Sequence, residues 1–358
     1  MDDSLTKSFP CTKKCNNEFL LQWHITNKCE NNCAHCYMSP EQRNDKNALT
    51  TKDCYRVIDD LVDFTNDVCV TPRICFTGGD PLLREDFWQV LGYARQKKVI
   101  SHILGNPDQL DDKTIDRLKE CGVSRYQLSF DGLRDTHDSL RGKSSFNTSL
   151  SAVERLTCKG IQVVVMSTVT KQNQYELAVL ARQVISKGAK RFDFARLVPI
   201  GNGRDLAGLC FEPLEYRAFL ERMYREYKKM ISDGIPERFL GTKDPLWSLL
   251  LYEKKELVLP QNNLVYSGCS VAKSGFCMDA DGTLYACRRM PVGIGNIKHT
   301  SIREFFINLP EMNRYREFEK IEGCGSCQLM PVCRGCRAVA WSKTGSYFGR
   351  DPQCWKLV

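Results

Sequence analysis

The sequence predicts an α/β fold, because strand-like and helix-like segments alternate from residue 18 to about 200. A second observation is a cysteine-rich stretch beyond residue 265, which predicts a small metal-stapled domain after the α/β part. Strands separated by helices of this length imply a parallel sheet with right-handed crossovers. The active site is then expected on the loops at the strands' C-terminal ends.

Leu20 to Thr26 reads as a strand that delivers a cysteine loop. Residues 50–65 have helical spacing through Val57, Ile58, Leu61, Val62 and Phe64. Ile74-Cys75-Phe76-Thr77 is a short buried strand running into Gly78-Gly79-Asp80-Pro81. A helix over 85–98, a strand over 99–104 and a helix over 111–121 follow. Ser124 to Phe130 is the next strand, with a helix at about 145–159 behind it. Ile161 to Thr170 is the clearest strand, Val-rich and closed by polar residues. A helix over 173–187 and a strand over 191–198 complete about six β/α units. Residues 212–234 then read as an amphipathic helix with Phe219, Met223, Tyr227 and Met230 on one stripe. A second helical stretch, about 244–256, ends ahead of Pro260-Gln261-Asn262-Asn263. The expected organisation is an N-terminal segment (1–17), an α/β region (18–202), a helical bridge (203–264) and a cysteine-rich domain (265–358).

Composition narrows the class. Hydrophobic content of 42% and aromatic content of 10% suit an ordinary globular core. The start, Met1-Asp2-Asp3-Ser4, lacks the basic and apolar regions of a signal peptide, and no apolar run reaches the length of a membrane span. A cytoplasmic protein without a membrane partner is expected. Nineteen cysteines, an odd number, then favour metal-bound thiols over disulfides. The basic residues behind the formal charge of +8 are scattered, so a nucleic-acid partner is not expected.

Cys29, Cys33 and Cys36, within Lys28-Cys29-Glu30-Asn31-Asn32-Cys33-Ala34-His35-Cys36-Tyr37, have C-x3-C-x2-C spacing. They supply three thiolates where a four-iron cluster usually takes four, which leaves one iron open to another ligand. A zinc site is the alternative, but zinc normally asks for a fourth Cys or His. The second group has Cys269, Cys277, Gly282 and Cys287, then Cys324, Cys327, Cys333 and Cys336 spaced C-x2-C-x5-C-x2-C, then Cys354. Eight cysteines at such gaps within 86 residues do not read as buried hydrophobes, although C-x2-C pairs also suit zinc. Cys75, Cys121 and Cys158 fall in or beside core elements and read as small apolar residues. Cys11 and Cys15 form a C-x3-C pair in the N-terminal segment, expected to be an exposed bystander.

The cysteine loop ending in Tyr37 resembles the signature of the radical S-adenosylmethionine (SAM) superfamily. Gly78-Gly79-Asp80-Pro81 resembles that family's Gly-Gly-Glu-Pro element, whose backbone holds the SAM amino group. Ser129-Phe130-Asp131-Gly132 and His137-Asp138-Ser139-Leu140-Arg141-Gly142 resemble another family pattern, which implies a Ser129 contact to SAM with Arg141 nearby. Asn106 sits where relatives often have Thr-Asn-Gly, although this chain reads Gly105-Asn106-Pro107. Leu197, in Arg196-Leu197-Val198-Pro199, sits where relatives line the adenine with backbone. The later cysteines resemble the SPASM domain, with one residue fewer than the family pattern between Cys333 and Cys336.

The resemblance implies a partial (β/α)6 TIM-like barrel followed by a SPASM domain. It implies three four-iron four-sulfur clusters: one on Cys29, Cys33 and Cys36 that binds SAM, and two auxiliary ones. Cys269, Cys277, Cys287 and Cys336 would ligate the first auxiliary cluster, and Cys324, Cys327, Cys333 and Cys354 the second. The implied activity is radical hydrogen abstraction by an oxidoreductase-type enzyme, first of all a maturase that crosslinks a ribosomally synthesised peptide, for example by a thioether. Flavodoxin or ferredoxin would donate electrons. With only 28 residues before Cys29, leader recognition would fall to a separate protein or to the barrel and SPASM surface. Sulfatase maturation is disfavoured, since Arg288 and Arg289 follow Cys287 where those relatives carry an aspartate. A haem-biosynthetic enzyme acting on a tetrapyrrole is the other catalytic alternative, and a non-catalytic electron carrier would not need the Gly-Gly-Asp-Pro element. Arg288 reads either as a cation beside the first auxiliary cluster or as a surface charge.

Overall fold

The computed structural model describes residues 18–260 and 264–357. Residues 1–17, with Cys11 and Cys15, lie outside the described residues. The elements in chain order begin β1 (Glu18–Thr26), α1 (Thr51–Asp67), β2 (Thr71–Gly78), α2 (Phe87–Gln96), β3 (Ile100–Leu104) and α3 (Asp112–Glu120). Next come β4 (Arg125–Ser129), α4 (Arg134–Arg141), α5 (Ser145–Cys158), β5 (Gln162–Val169), α6 (Leu177–Ser186) and β6 (Arg191–Arg196). The remainder is α7 (Pro213–Ser232), α8 (Leu246–Glu253), β7 (Gly275–Met278), β8 (Thr283–Cys287), β9 (Met290–Asn296), α9 (Pro310–Arg314) and α10 (Arg337–Thr344). It is a mixed α/β fold with the parallel sheet of a partial barrel.

The chain forms two compact units. Among the described residues, the first takes 18–30, 41–126 and 271–316; the second takes 31–40, 127–260, 264–270 and 317–357.

In the first unit β1 pairs in parallel with β2, setting Leu21 opposite Ile74 and Trp23 opposite Phe76, and β2 pairs in parallel with β3. The other edge of β1 is occupied by β7, also parallel, with Gln22 opposite Cys277. β8 and β9 then continue the sheet antiparallel. The first cysteine-rich residues therefore extend the α/β sheet, and an edge of β1 that would otherwise expose unpaired amides is covered. Helix α1 starts at a capping box, Thr50 with Asp53, and buries Cys54, Val57, Ile58, Leu61 and Phe64 on one stripe. Phe64 meets Phe19 of β1 edge-on at 4.9 Å between ring centroids, and Phe306 closes the cluster at 4.7 Å from Phe19. Each fully buried ring contributes about 1.5–3 kcal/mol of transfer free energy.

In the second unit β5 and β6 are parallel, and β4 delivers Phe130, whose amide bonds Met166 of β5. Helix α7 buries Tyr216, Phe219, Met223, Tyr227 and Met230, so the predicted stripe is packing. Two boundaries differ from the sequence expectation. Helix α4 is a separate eight-residue element, too short and too charged to stand out, with only His137 and Leu140 buried. Helix α6 begins at Leu177 and not at 173, because Asn173 is spent on a turn. Its side chain accepts the Thr170 amide and donates to the carbonyls of Thr168 and Asp131.

Candidate active site

The exit of β1 carries the chain toward Cys29, and Gly78-Gly79-Asp80 is laid against it. The Gly79 amide bonds the Thr26 carbonyl at 3.0 Å and the Asp80 amide bonds the Lys28 carbonyl at 2.8 Å. A Cβ on Gly78 would stand 1.9 Å from the Thr26 oxygen. One on Gly79 would stand 2.0 Å from the Lys28 oxygen and 2.7 Å from the Cys29 Cβ. Gly78 also has a φ of +142°, which L side chains rarely adopt. Both glycines are thus required by the backbone that presents Cys29. Asn106 Nδ2 lies 3.5 Å from the Cys29 sulfur, and its carbonyl is held by the Tyr126 hydroxyl at 2.9 Å.

Asp80 is 2% exposed and caps the turn after it through the Leu82 amide. Burial pushes its carboxyl up to about 7, Asp108 and Glu30 add to the rise, and the Leu82 and Asn106 amides oppose it.

Cys33, Cys36 and Tyr37 belong to the second unit. The Ala34 amide bonds the carbonyl of Leu140 at 2.8 Å, the Gly203 amide bonds that of Cys36 at 3.0 Å, and Asn202 donates to that of Cys33. Gly201 approaches Tyr37 so closely that a Cβ would lie 2.5 Å from its carbonyl. Arg141 bonds Asp131 at 2.5 Å, meets His35 Nε2 at 3.2 Å and directs a guanidinium nitrogen at the Cys33 sulfur, 3.9 Å away. Burial would raise the Asp131 carboxyl, but Arg141 and His35 outweigh it and hold the group well below the carboxylate range. Ser129 ends β4 half-buried, and Leu197 follows β6 fully buried, its amide on Val169. Asp131, His35 and Tyr126 are site residues that sequence reasoning did not single out. The signal for Asp131 was its place between Ser129 and Gly132.

The later cysteines divide between the units. In the first, Cys277 on β7 and Cys287 at the end of β8 interact electrostatically, and the Arg288 amide bonds the Cys277 sulfur. Burial pushes the Cys277 thiol up to about 12. Arg288 is 6% exposed, so the surface-charge reading is corrected. Its guanidinium bonds Asp279 at 3.0 Å, lies over the Tyr285 ring and donates to His24 Nδ1 at 3.1 Å; burial, reinforced by the Arg288 charge, holds that imidazole well below its ordinary pKa. In the second unit Cys324, Cys327, Cys333 and Cys354 line one pocket with Leu246, Leu249 and Asp351. Lys356 Nζ reaches the Cys327 sulfur at 3.2 Å, and the Gly335 amide reaches that of Cys333 at 3.4 Å. Cys269 and Cys336 also lie in the second unit, where the Cys269 amide bonds the Cys333 carbonyl.

Residues 23–183 match the profile of the Radical SAM superfamily, and residues 269–337 match that of SPASM, an iron-sulfur cluster-binding domain. This chain is a radical SAM enzyme with a SPASM domain. It is 27% identical to an AdoMet-dependent heme synthase of Methanosarcina barkeri, covering 94% of this chain and 95% of the relative. It is also 27% identical to the mycofactocin maturase MftC of Mycobacterium tuberculosis, over 93% of this chain and 82% of that one. In fold it is similar to Streptococcus suis SuiB bound to its precursor peptide SuiA, with TM-score 0.74, 18% identity and coverage of 99% and 78%. Among the described residues no helix is long and apolar enough to cross a membrane.

The pocket of Cys324, Cys327, Cys333 and Cys354 has a donor set that fits an iron–sulfur cluster: its soft thiols receive N–H···S bonds of the kind that tune such clusters, burial pushes the Cys324, Cys333 and Cys354 thiols up, and a bound metal would hold them as thiolates.

Two predictions follow from the β1 exit. Gly79→Ala displaces Lys28 and Cys29, so the reconstituted variant is expected to lose iron as well as SAM affinity. Full iron content with SAM binding alone weakened would contradict this reading. For Asp80 the folded pKa lies above the ordinary carboxyl value, so the acid form favours folding below that ordinary value and the contribution is lost as pH rises to about 7. The stability gain of Asp80→Asn over wild type, measured by denaturant melts of the metal-free protein, should therefore grow across that window. A pH-independent difference would show that Asp80 titrates normally.

Proposed function

We propose that this enzyme holds three four-iron four-sulfur clusters and SAM and oxidises a C–H bond of a tetrapyrrole. The observation that carries the substrate class is the end-to-end likeness to the AdoMet-dependent heme synthase, 95% of whose length is covered. A second reading, modification of a ribosomally made peptide, is supported by the equal identity to the maturase MftC, although less of that relative is covered.

When bound to Cys29, Cys33 and Cys36, the barrel cluster supplies the electron that cleaves SAM to methionine and a 5′-deoxyadenosyl radical. Around it, Gly78, Gly79 and Asp80 carry the backbone that receives the SAM amino group. Tyr37, Asn106, Ser129 and Leu197 line the remainder of the ligand. Arg141, held by Asp131, sets a positive charge beside the Cys33 sulfur. Cys269, Cys277, Cys287 and Cys336 hold one auxiliary cluster, and Cys324, Cys327, Cys333 and Cys354 hold the other. Clusters held there would supply an acceptor for the electron that substrate oxidation leaves behind. A cytoplasmic flavodoxin or ferredoxin provides the reductant, and the peptide reading adds a separate leader-binding protein.

Anaerobically reconstituted enzyme should carry about twelve irons per chain, and replacing Cys29, Cys33 and Cys36 by alanine should remove about four. With dithionite and SAM, formation of 5′-deoxyadenosine should rise when an iron porphyrin bearing propionates is added, with a mass change in the porphyrin. Stimulation by a short peptide and not by the porphyrin would replace the first reading with the second.

A further inference from the structure

Arg196, the last residue of β6, has no role in the sites described so far, yet it is 2% exposed. Its five N–H donors are all used. Nε and one terminal nitrogen bond the Asp244 carboxylate at 2.5 and 3.2 Å. The two terminal nitrogens bond the two oxygens of Asp351 at 2.8 Å each, and one also reaches Gln353 Oε1 at 2.6 Å. The guanidinium lies 4.8 Å from the centroid of the Tyr216 ring.

Asp351 is likewise saturated. Besides Arg196, one oxygen accepts the Cys336 amide at 2.7 Å and the other accepts the Gln353 amide at 3.0 Å. Its carbonyl accepts the Cys354 amide at 3.1 Å. Its side chain lines the pocket of Cys324, Cys327, Cys333 and Cys354, so close to Gly335 that a Cβ there would lie 2.6 Å away. One carboxylate therefore sits between the Cys333–Cys336 turn and Cys354. All of these residues belong to the second unit.

We propose that Arg196 is a positioning residue for the SPASM cysteines: by orienting Asp351 it fixes the backbone of Cys336 and Cys354 and holds one carboxylate at the pocket of Cys324, Cys327, Cys333 and Cys354. Stability alone does not account for such a group. A buried ion triad is often matched or bettered by apolar residues of similar volume, whereas one that orients other groups has no apolar substitute. The pocket is lined by Arg334 and Lys356 as well as by Asp351, and removing its one carboxylate leaves the surroundings more positive, which favours addition of an electron to a cluster. Arg196 also precedes Leu197, so the strand end proposed to line SAM is the one that anchors the cysteine domain. The inference rests on the cluster assignment proposed above.

The test uses full-length, anaerobically reconstituted enzyme, read by iron content, thermal melts and EPR-monitored redox titration. Asp351→Asn keeps an acceptor for the Cys336 amide and removes the charge. It should keep its iron and shift the midpoint potentials of the SPASM signals upward. The combined Arg196→Met, Asp244→Leu and Asp351→Leu variant removes the anchor while filling the space. It should melt near wild type yet lose most of the SPASM iron, with SAM cleavage by the barrel retained. Unchanged midpoints in Asp351→Asn, or wild-type iron and midpoints in the apolar variant, would overturn the role of Arg196. If the apolar variant does not fold, the Asp351→Asn potentials decide alone. Wild type with only about four irons would instead overturn the underlying cluster assignment.

Discussion

The close approach of two backbones governs this site. Gly78 and Gly79 lie so tightly on Thr26 and Lys28 that neither tolerates a Cβ, and their amides hold the path by which β1 presents Cys29. A cluster held by three cysteines tolerates little drift in any of them, because the open iron must face a cavity and not a side chain. The two glycines serve that need from the protein side. In the proposed SAM site, ligand contact would be an added use of a backbone already constrained.

Buried charge is the second theme. Asp131 with Arg141, Asp351 with Arg196, and Asp279 with Arg288 each place a paired carboxylate and guanidinium near a cysteine of a proposed cluster set. Burial penalises each ion, and pairing together with hydrogen bonding offsets that penalty. In each case one member of the network meets the cysteine itself: Arg141 points at the Cys33 sulfur, Asp351 accepts the Cys336 amide, and the Arg288 amide donates to the Cys277 sulfur. Such contacts adjust how firmly a thiolate is held and how readily its cluster accepts an electron.

Much of this was legible in the sequence. Cysteine spacing is a local covalent property, so Cys29, Cys33 and Cys36 and the C-x2-C pairs announced themselves, and the β/α alternation followed from periodicity. What escaped depends on residues distant in the chain. Arg196 and Asp351 are separated by 155 positions, and nothing in either neighbourhood marks them as partners. The burial of Arg288 follows from His24 on β1, 264 residues earlier. The continuation of the sheet by β7 was hidden because Gly275–Met278 is only four residues long and sits among cysteines. Helix α4 was missed because its apolar content is too low for periodicity to show.

The claim on which everything else depends is that Cys29, Cys33 and Cys36 bind a cluster whose fourth iron is free for SAM. The most direct measurement is EPR of the reduced enzyme in which the eight SPASM cysteines are replaced by alanine, recorded with and without SAM. A single four-iron signal that changes on addition of SAM is the predicted result. A signal indifferent to SAM, or none at all in protein that still folds, would contradict the account.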